Sequence, residues 1–431
     1  MTFPDANIKE ILQGLSREKG EIRVKGAHKG LKALLVASLF HFLGKPIVFI
    51  SPSAREAKTC AENISLFIGN DRVFSFPPWE IVSFDMFSFQ PERECERIGI
   101  LSRLLHGEPA VTVMPVECLR EITMPVTHFL NYLRTFSPGD VVPRDELVGH
   151  LLRGGYVRTP IVVAPGEFST RGHIVDVFPP GEKSGIRLEF LGDEIESIRE
   201  FDPASQRSQR ERESFHLLPA REIIIDERAQ ERALRKLKLR ANELSLSKKV
   251  KEGLEEKIES TLISSVNPMF FPLFYEPGDE RDSIFTYFPL DITVILDEET
   301  LLDQGLVHHE NEFNRLLHQA RQAGLFFLEE NEVFLSLEEV KVQLRTMARV
   351  IIDNLGREEL HIPYFTITGI TDLNLKPHES GLFTPVANQI TSWLRDGNRV
   401  IVVCSGEEEG KRMSHLLAHY GLAGEWIPEG K

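Results

Sequence analysis

The spacing of apolar positions opens the chain as alternating strands and helices. Pro46-Ile47-Val48-Phe49-Ile50 and Ala110-Val111-Thr112-Val113-Met114-Pro115 are apolar runs of strand length, the pattern of strands buried on both faces. Leu34–Leu43 is a helical run, Ser53-Ala54-Arg55-Glu56 reads as a capping box opening a helix through Phe67, and Glu92–Leu105 predicts another helix. After a helix over Asp145–Arg153 the period changes to two. His173–Phe178 and Ile186–Phe190 alternate apolar with polar, Pro179–Gly185 supplies a hairpin connection, and three short strands are expected between Gly154 and Phe201. Within that stretch Gly166 and Gly172 bracket Phe168 and Arg171, which reads as a sharp turn displaying both side chains.

The α/β pattern then returns. Asp226–Leu262 predicts a solvated helical pair broken at Ser245-Leu246-Ser247, and Ile292–Glu298 is an apolar strand ending in two carboxylates. Beyond Gly369 a helix is expected over Pro385–Arg395, a strand over Arg399–Cys404, and a capping box at Ser405–Glu408 before a helix over Gly410–Tyr420. The two changes of period define an α/β multidomain chain. Its body lies in two segments, 1–117 and 216–365, around an inserted small antiparallel β-rich α+β domain, 118–215. Residues 366–431 form a partial further α/β domain, which suggests a truncated piece of a longer protein.

Composition narrows the function. The 431 residues, 42% hydrophobic, are enough for two to four cores. Fifty Lys+Arg against 65 Asp+Glu leave a net charge of −15, which disfavours bulk binding to nucleic acid and leaves only a local basic patch open. Cys60, Cys95, Cys118 and Cys404 form no CxxC pair, so neither a zinc ribbon nor a disulfide framework is indicated, and a reducing cytoplasm is expected. No run is long and apolar enough for a membrane span, and the N-terminus lacks a signal pattern. His308-His309-Glu310 and His318 lack an HExxH spacing, so no metal is assigned.

Val24-Lys25-Gly26-Ala27-His28-Lys29-Gly30-Leu31-Lys32-Ala33 before a helix has the outline of a phosphate-binding loop, with Gly26 and Lys32 at the required separation. Leu31, however, stands where a glycine must let the backbone approach phosphate, and Ala33 where a hydroxyl must hold Mg²⁺. A degenerate P-loop that binds no nucleotide is expected. Asp297-Glu298 has the form of a Walker B end, but Asp-Glu at a strand end also serves as a solvated turn, and Glu299-Thr300 replaces the Ser-His of an active motor. Gly26, Lys32, Asp297 and Glu298 therefore mark a degenerate nucleotide site, with no cofactor.

Gly155-Tyr156 with Arg158, Gly166-Glu167-Phe168, Thr170-Arg171-Gly172, Asp176-Val177-Phe178-Pro179, Asp193-Glu194-Ile195 and Phe201-Asp202 closely resemble the inserted domain shared by UvrB and the N-terminal region of transcription-repair coupling factors of the Mfd family. The resemblance extends over nearly all of residues 20–425, through Phe76-Pro77-Pro78-Trp79-Glu80, Glu96-Arg97 and Tyr287-Phe288-Pro289. It implies a UvrB-like module with a RecA-like body and a decayed nucleotide site. It also implies docking of the repair ATPase UvrA through Arg158, Phe168, Arg171 and Val175, Ser169 departing from a third arginine of UvrB. The Trp79–Glu92 connection is too short for the DNA-clamping hairpin of UvrB. Implied for a full-length family member are an ATP-driven translocase motor, contacts with RNA polymerase and double-stranded DNA through further C-terminal domains, and intramolecular masking of the UvrA surface. A non-catalytic bacterial repair adaptor is the expectation, and a UvrB-like ATPase acting on damaged DNA the alternative.

The local charge supports a protein partner. Gly154–Glu200 holds five Lys/Arg against eight Asp/Glu, so Arg158 and Arg171 stand as isolated cations among acids, unless Glu167 or Asp176 neutralises them within the domain.

Overall fold

The computed structural model describes residues 6–15, 20–28, 30–79, 84, 86, 91–260, 266–275, 282–354, 383–398, 400–402, 404 and 406–425. Along the chain, α1 (Ala6–Leu15), β1 (Glu21–Val24), α2 (Gly30–Leu43), β2 (Ile47–Ser51), α3 (Ala54–Ile68), β3 (Val73–Ser75), α4 (Pro91–Leu105) and β4 (Val111–Pro115) form the first part of the body. There follow α5 (Val126–Tyr132), β5 (Arg134–Phe136), α6 (Arg144–Arg153), β6 (Val157–Arg158), β7 (Glu167–Arg171), β8 (Ile174–Val177), β9 (Gly185–Leu191), β10 (Glu194–Phe201), β11 (Ser208–Glu211) and β12 (Phe215–Leu217). The chain returns through α7 (Glu227–Glu243), α8 (Lys248–Ser260), α9 (Phe271–Phe274), β13 (Thr293–Asp297), α10 (Glu299–Gln322), α11 (Glu330–Val333), α12 (Leu337–Arg345) and β14 (Ala348–Ile352). Helices α13 (Thr384–Arg395) and α14 (Glu407–Ala418) come last.

The body is one parallel sheet in the order β1-β14-β13-β2-β4-β3, so both chain segments build it. Its central strands are buried on both faces, and their alternation divides the interior. Ile47, Phe49, Val111 and Val113 face one core with α1, α2 and α3, while Val48, Ile50 and Met114 face the other with α4, α7 and α10. Ser53 caps α3 by accepting from the Glu56 amide at 3.3 Å, and Asp226 caps α7 through the Ala229 amide at 2.7 Å.

The second six-stranded sheet, β11-β10-β9-β8-β7-β6, is antiparallel except where β6 meets β7. It is entered and left through the paired strands β5 and β12, and α6 packs Leu147 and Leu151 into its core. Cys118, Leu119, Met124 and Phe129, just before β5, pack in the body's core.

Three local expectations change. The stretch between Gly166 and Gly172 is strand β7, not a turn; the two glycines, at φ 84° and 58°, mark its ends. Residues 400–402 and 404 form no strand, and Ile401 and Val402 are exposed, because no neighbouring strand among the described residues pairs with them. Helix α14 is capped by Gly406 without a side-chain hydrogen bond, and Ser405 lies outside the described residues. So do most of the 80–90 connection and all of 355–382, on which the hairpin expectation and the Gly369 transition fall.

Candidate functional site

The edge formed by β6 and β7 presents the arginines singled out in the sequence. Parallel pairing sets Arg158 beside Phe168, and Arg171 closes β7. Both arginines are exposed. Arg158 donates to the Thr170 hydroxyl, and the Arg171 Nη2 donates to the Pro160 carbonyl at 2.9 Å, which holds both side chains along the edge. Phe168 and Val175 are not displayed. Each is 0% exposed in the domain's core with Leu188 and Ile195, so their displayed role is corrected: they hold together the strands that carry the two arginines. Ser169 is buried and donates to the Pro160 carbonyl at 3.2 Å, bracing the loop.

The acids that could have neutralised these arginines are engaged elsewhere. Glu167 accepts from the amides of Val163 and Ala164 at 2.8 and 3.0 Å. Asp176 is gripped bidentately by Arg187 at 2.7 and 3.0 Å. Glu200 accepts from Arg210 at 2.7 Å, and Glu189 from Ser197 at 2.9 Å. Among the described residues neither Arg158 nor Arg171 forms an ion pair, so a patch of unpaired positive charge sits on an acidic domain. A guanidinium in that state has most of its five donors available to a partner's carboxylates.

The second place of chemical interest is the C-terminal end of the parallel strands. Gly26 takes a positive φ of 79°, and Lys32, in the first turn of α2, reaches Asp297 at the end of β13 with Nζ and Oδ1 2.5 Å apart. Asp297 and Glu298 are both buried, which corrects the solvated-turn reading. Burial pushes the Asp297 carboxyl up, and Lys32 pulls it part of the way back. Glu298 sits in the left-handed region at φ 59° and accepts from the Asn354 side chain at 2.6 Å and its amide at 3.0 Å. Asn354 also donates to the Ala27 carbonyl at 3.0 Å, tying the loop after β1 to the end of β14. Burial holds the Cys60 thiol at about 12, with the nearby Asp297 charge adding to it, so it is no nucleophile. His309 lies 3.4 Å from Arg120, and burial, helped by that cation, lowers it to about 4.

Sequence reasoning missed the junction between body and inserted sheet. Arg97 of α4 is 0% exposed and binds Glu121 and Glu222, each at 2.6 Å, and the Pro77 carbonyl at 2.7 Å. Phe76 and Trp79 cover the guanidinium, with ring centroids 4.4 and 4.2 Å from its carbon. Beside it Arg221 reaches Glu94 at 3.7 Å, and Gly99 lies so close to Gly181 that a Cβ there would come within 2.6 Å of the Gly181 Cα. The available signal was an arginine and a glycine inside the largely apolar stretch Cys95–Leu104.

The arrangement is that of a two-segment α/β body carrying an inserted sheet domain with a cationic edge, and residues 135–223 match the family described as the UvrB interaction domain. Along the whole chain the similarity is to transcription-repair-coupling factors. It is 24% identical to that of Bacillus subtilis (strain 168) over 96% of this chain and 36% of the relative, 28% to that of Myxococcus xanthus over 92% and 34%, and 27% to that of Escherichia coli (strain K12) over 95% and 35%. The resemblance read from the residues is thus met by both comparisons, and the chain is consistent with an N-terminal region of a transcription-repair-coupling factor. It spans about a third of the length of these relatives.

Proposed function

We propose that this region is a non-catalytic adaptor that binds UvrA through Arg158 and Arg171 and so brings the excision-repair machinery to transcription complexes. The observation that carries it is the pair of exposed arginines without a carboxylate partner among the described residues, on the domain matched to the UvrB interaction family. RNA polymerase and double-stranded DNA would be engaged by other parts of a longer protein, and intramolecular masking of the same edge would regulate access to UvrA.

The non-catalytic reading is supported by the strand-end cluster, which is closed on itself. Lys32, the group that would bind β/γ-phosphates, is held by Asp297, and Asn354 bridges Ala27 and Glu298. Leu31 and Ala33 supply neither the bare backbone nor the hydroxyl that MgATP requires. The alternative, a UvrB-like ATPase, is favoured by the gathering of Gly26, Lys32, Asp297 and Glu298 at one end of the parallel strands. Calorimetric titration with UvrA and, separately, with MgATP distinguishes the two. Saturable UvrA binding, weakened by Arg171→Ala, with no heat from MgATP is expected. Tight MgATP binding without a UvrA response would refute the adaptor.

A further inference from the structure

Between the two arginines runs the loop 159–164, and its side chains alternate out, in, out. Ile161 is 51% exposed and Val163 59%, while Val162 between them is fully buried against Phe178 and Phe201. Exposed aliphatic side chains are common singly, but two on one short loop between unpaired cations are a composition typical of contact surfaces. The loop is also braced at successive residues. The Thr159 amide donates to Phe168 at 2.8 Å and its hydroxyl to the Ile161 carbonyl at 3.0 Å. The Pro160 carbonyl accepts from Ser169 and Arg171, the Val162 carbonyl from Gln206 at 2.9 Å, and the Val163 and Ala164 amides are taken by Glu167. A surface loop this thoroughly tied presents its apolar groups in one conformation, so covering them costs little ordering entropy.

We propose that Ile161 and Val163 form the apolar centre of the UvrA contact, with Arg158 and Arg171 as its charged rim, and that the matching surface on UvrA is an apolar patch flanked by carboxylates. The inference rests on the adaptor reading and assigns its specificity: the arginines attract and orient, and the aliphatic pair discriminates a partner with a complementary hollow from other acidic surfaces. Burying both side chains removes apolar area from water, which gives a negative heat-capacity change on binding. The arginine contacts give instead the salt dependence.

The test is calorimetry of the whole chain with UvrA at several temperatures and two salt concentrations, comparing Ile161→Ser/Val163→Ser with Arg171→Ala. The double variant should bind roughly tenfold to thirtyfold more weakly, with a less negative heat capacity and an unchanged salt slope, while its urea midpoint stays that of the wild type because both side chains are exposed. Arg171→Ala should flatten the salt slope and leave the heat capacity. Wild-type affinity and heat capacity in the double variant, with binding still lost in Arg171→Ala, would overturn this assignment and leave the adaptor reading standing. Absence of UvrA binding by the wild type would overturn both. Self-association that the double variant abolishes would assign the patch to a second copy of the chain and overturn the proposal.

Discussion

Replacing Arg97 with methionine should destabilise the body strongly and in a pH-dependent way. The guanidinium is fully buried and supports two carboxylates that are themselves 2% and 0% exposed, Glu121 and Glu222. Removing one partner from a buried ion pair costs about 3–5 kcal/mol, because the other charge is left without compensation. In the wild type burial already pushes both carboxyls up, with Arg97 drawing them back. Without Arg97 they must rise further. A carboxyl raised in the folded state binds a proton that the unfolded chain releases, so stability falls as pH rises above the unfolded value, about 4.3, by about 1.4 kcal/mol per pH unit for each retained proton. The loss in Arg97→Met should therefore be small near pH 5 and grow by about 2–4 kcal/mol by pH 8. Urea unfolding followed by fluorescence suits the purpose, since the Trp79 ring lies 4.2 Å from the guanidinium. Adding Glu121→Gln and Glu222→Leu should recover most of the stability, as apolar or neutral replacement of a buried pair commonly does. An equal loss at pH 5 and pH 8, or one below about 1 kcal/mol, would refute the account of the junction.

Three further outcomes are expected. Glu94, raised to about 8 by burial, binds a proton when folded, so wild-type stability should decline from about pH 5 to pH 8 and Glu94→Gln should flatten that decline in a urea series; a slope unchanged by Glu94→Gln removes the assignment. Gly99→Val should force α4 away from the Gly181 turn, where even a Cβ would come within 2.6 Å of backbone, and make the inserted sheet susceptible to limited proteolysis while its own fold survives; a proteolytic pattern like the wild type's counts against that packing. Lys32→Met should leave Asp297 buried without its cation and lower stability by roughly 1–3 kcal/mol at pH 7, an effect that Asp297→Asn in the same chain should relieve; no loss would show that the pair holds nothing together.

What was legible in the sequence was what short-range pattern determines. The apolar runs of β2, β4 and β13 and the Ser53 cap of α3 follow from neighbours within a few residues, and the structure has them. The errors come where distant chain decides. Glu167–Arg171 read as a turn from its flanking glycines, yet pairing with β6 and β8 makes it a strand and turns Phe168 inward. For Asp297 and Glu298 the local pattern left a Walker B end and a solvated turn both open, and it is Lys32 and Asn354, remote in sequence, that cover them. Arg97 binds acids 24 and 125 positions away, which no local period can reveal. The arginine edge was legible through residue identities, and its openness was not, since that depends on where Glu167 and Asp176 spend their acceptors.

The central claim, that an unpaired cationic edge engages UvrA, is tested most directly by the affinity of this chain for UvrA at low and high salt, measured alongside Arg158→Ala/Arg171→Ala. Binding that weakens with salt in the wild type, and is weaker but nearly salt-independent in the variant, is the predicted result. Equal affinity and equal salt dependence for the two proteins would contradict it.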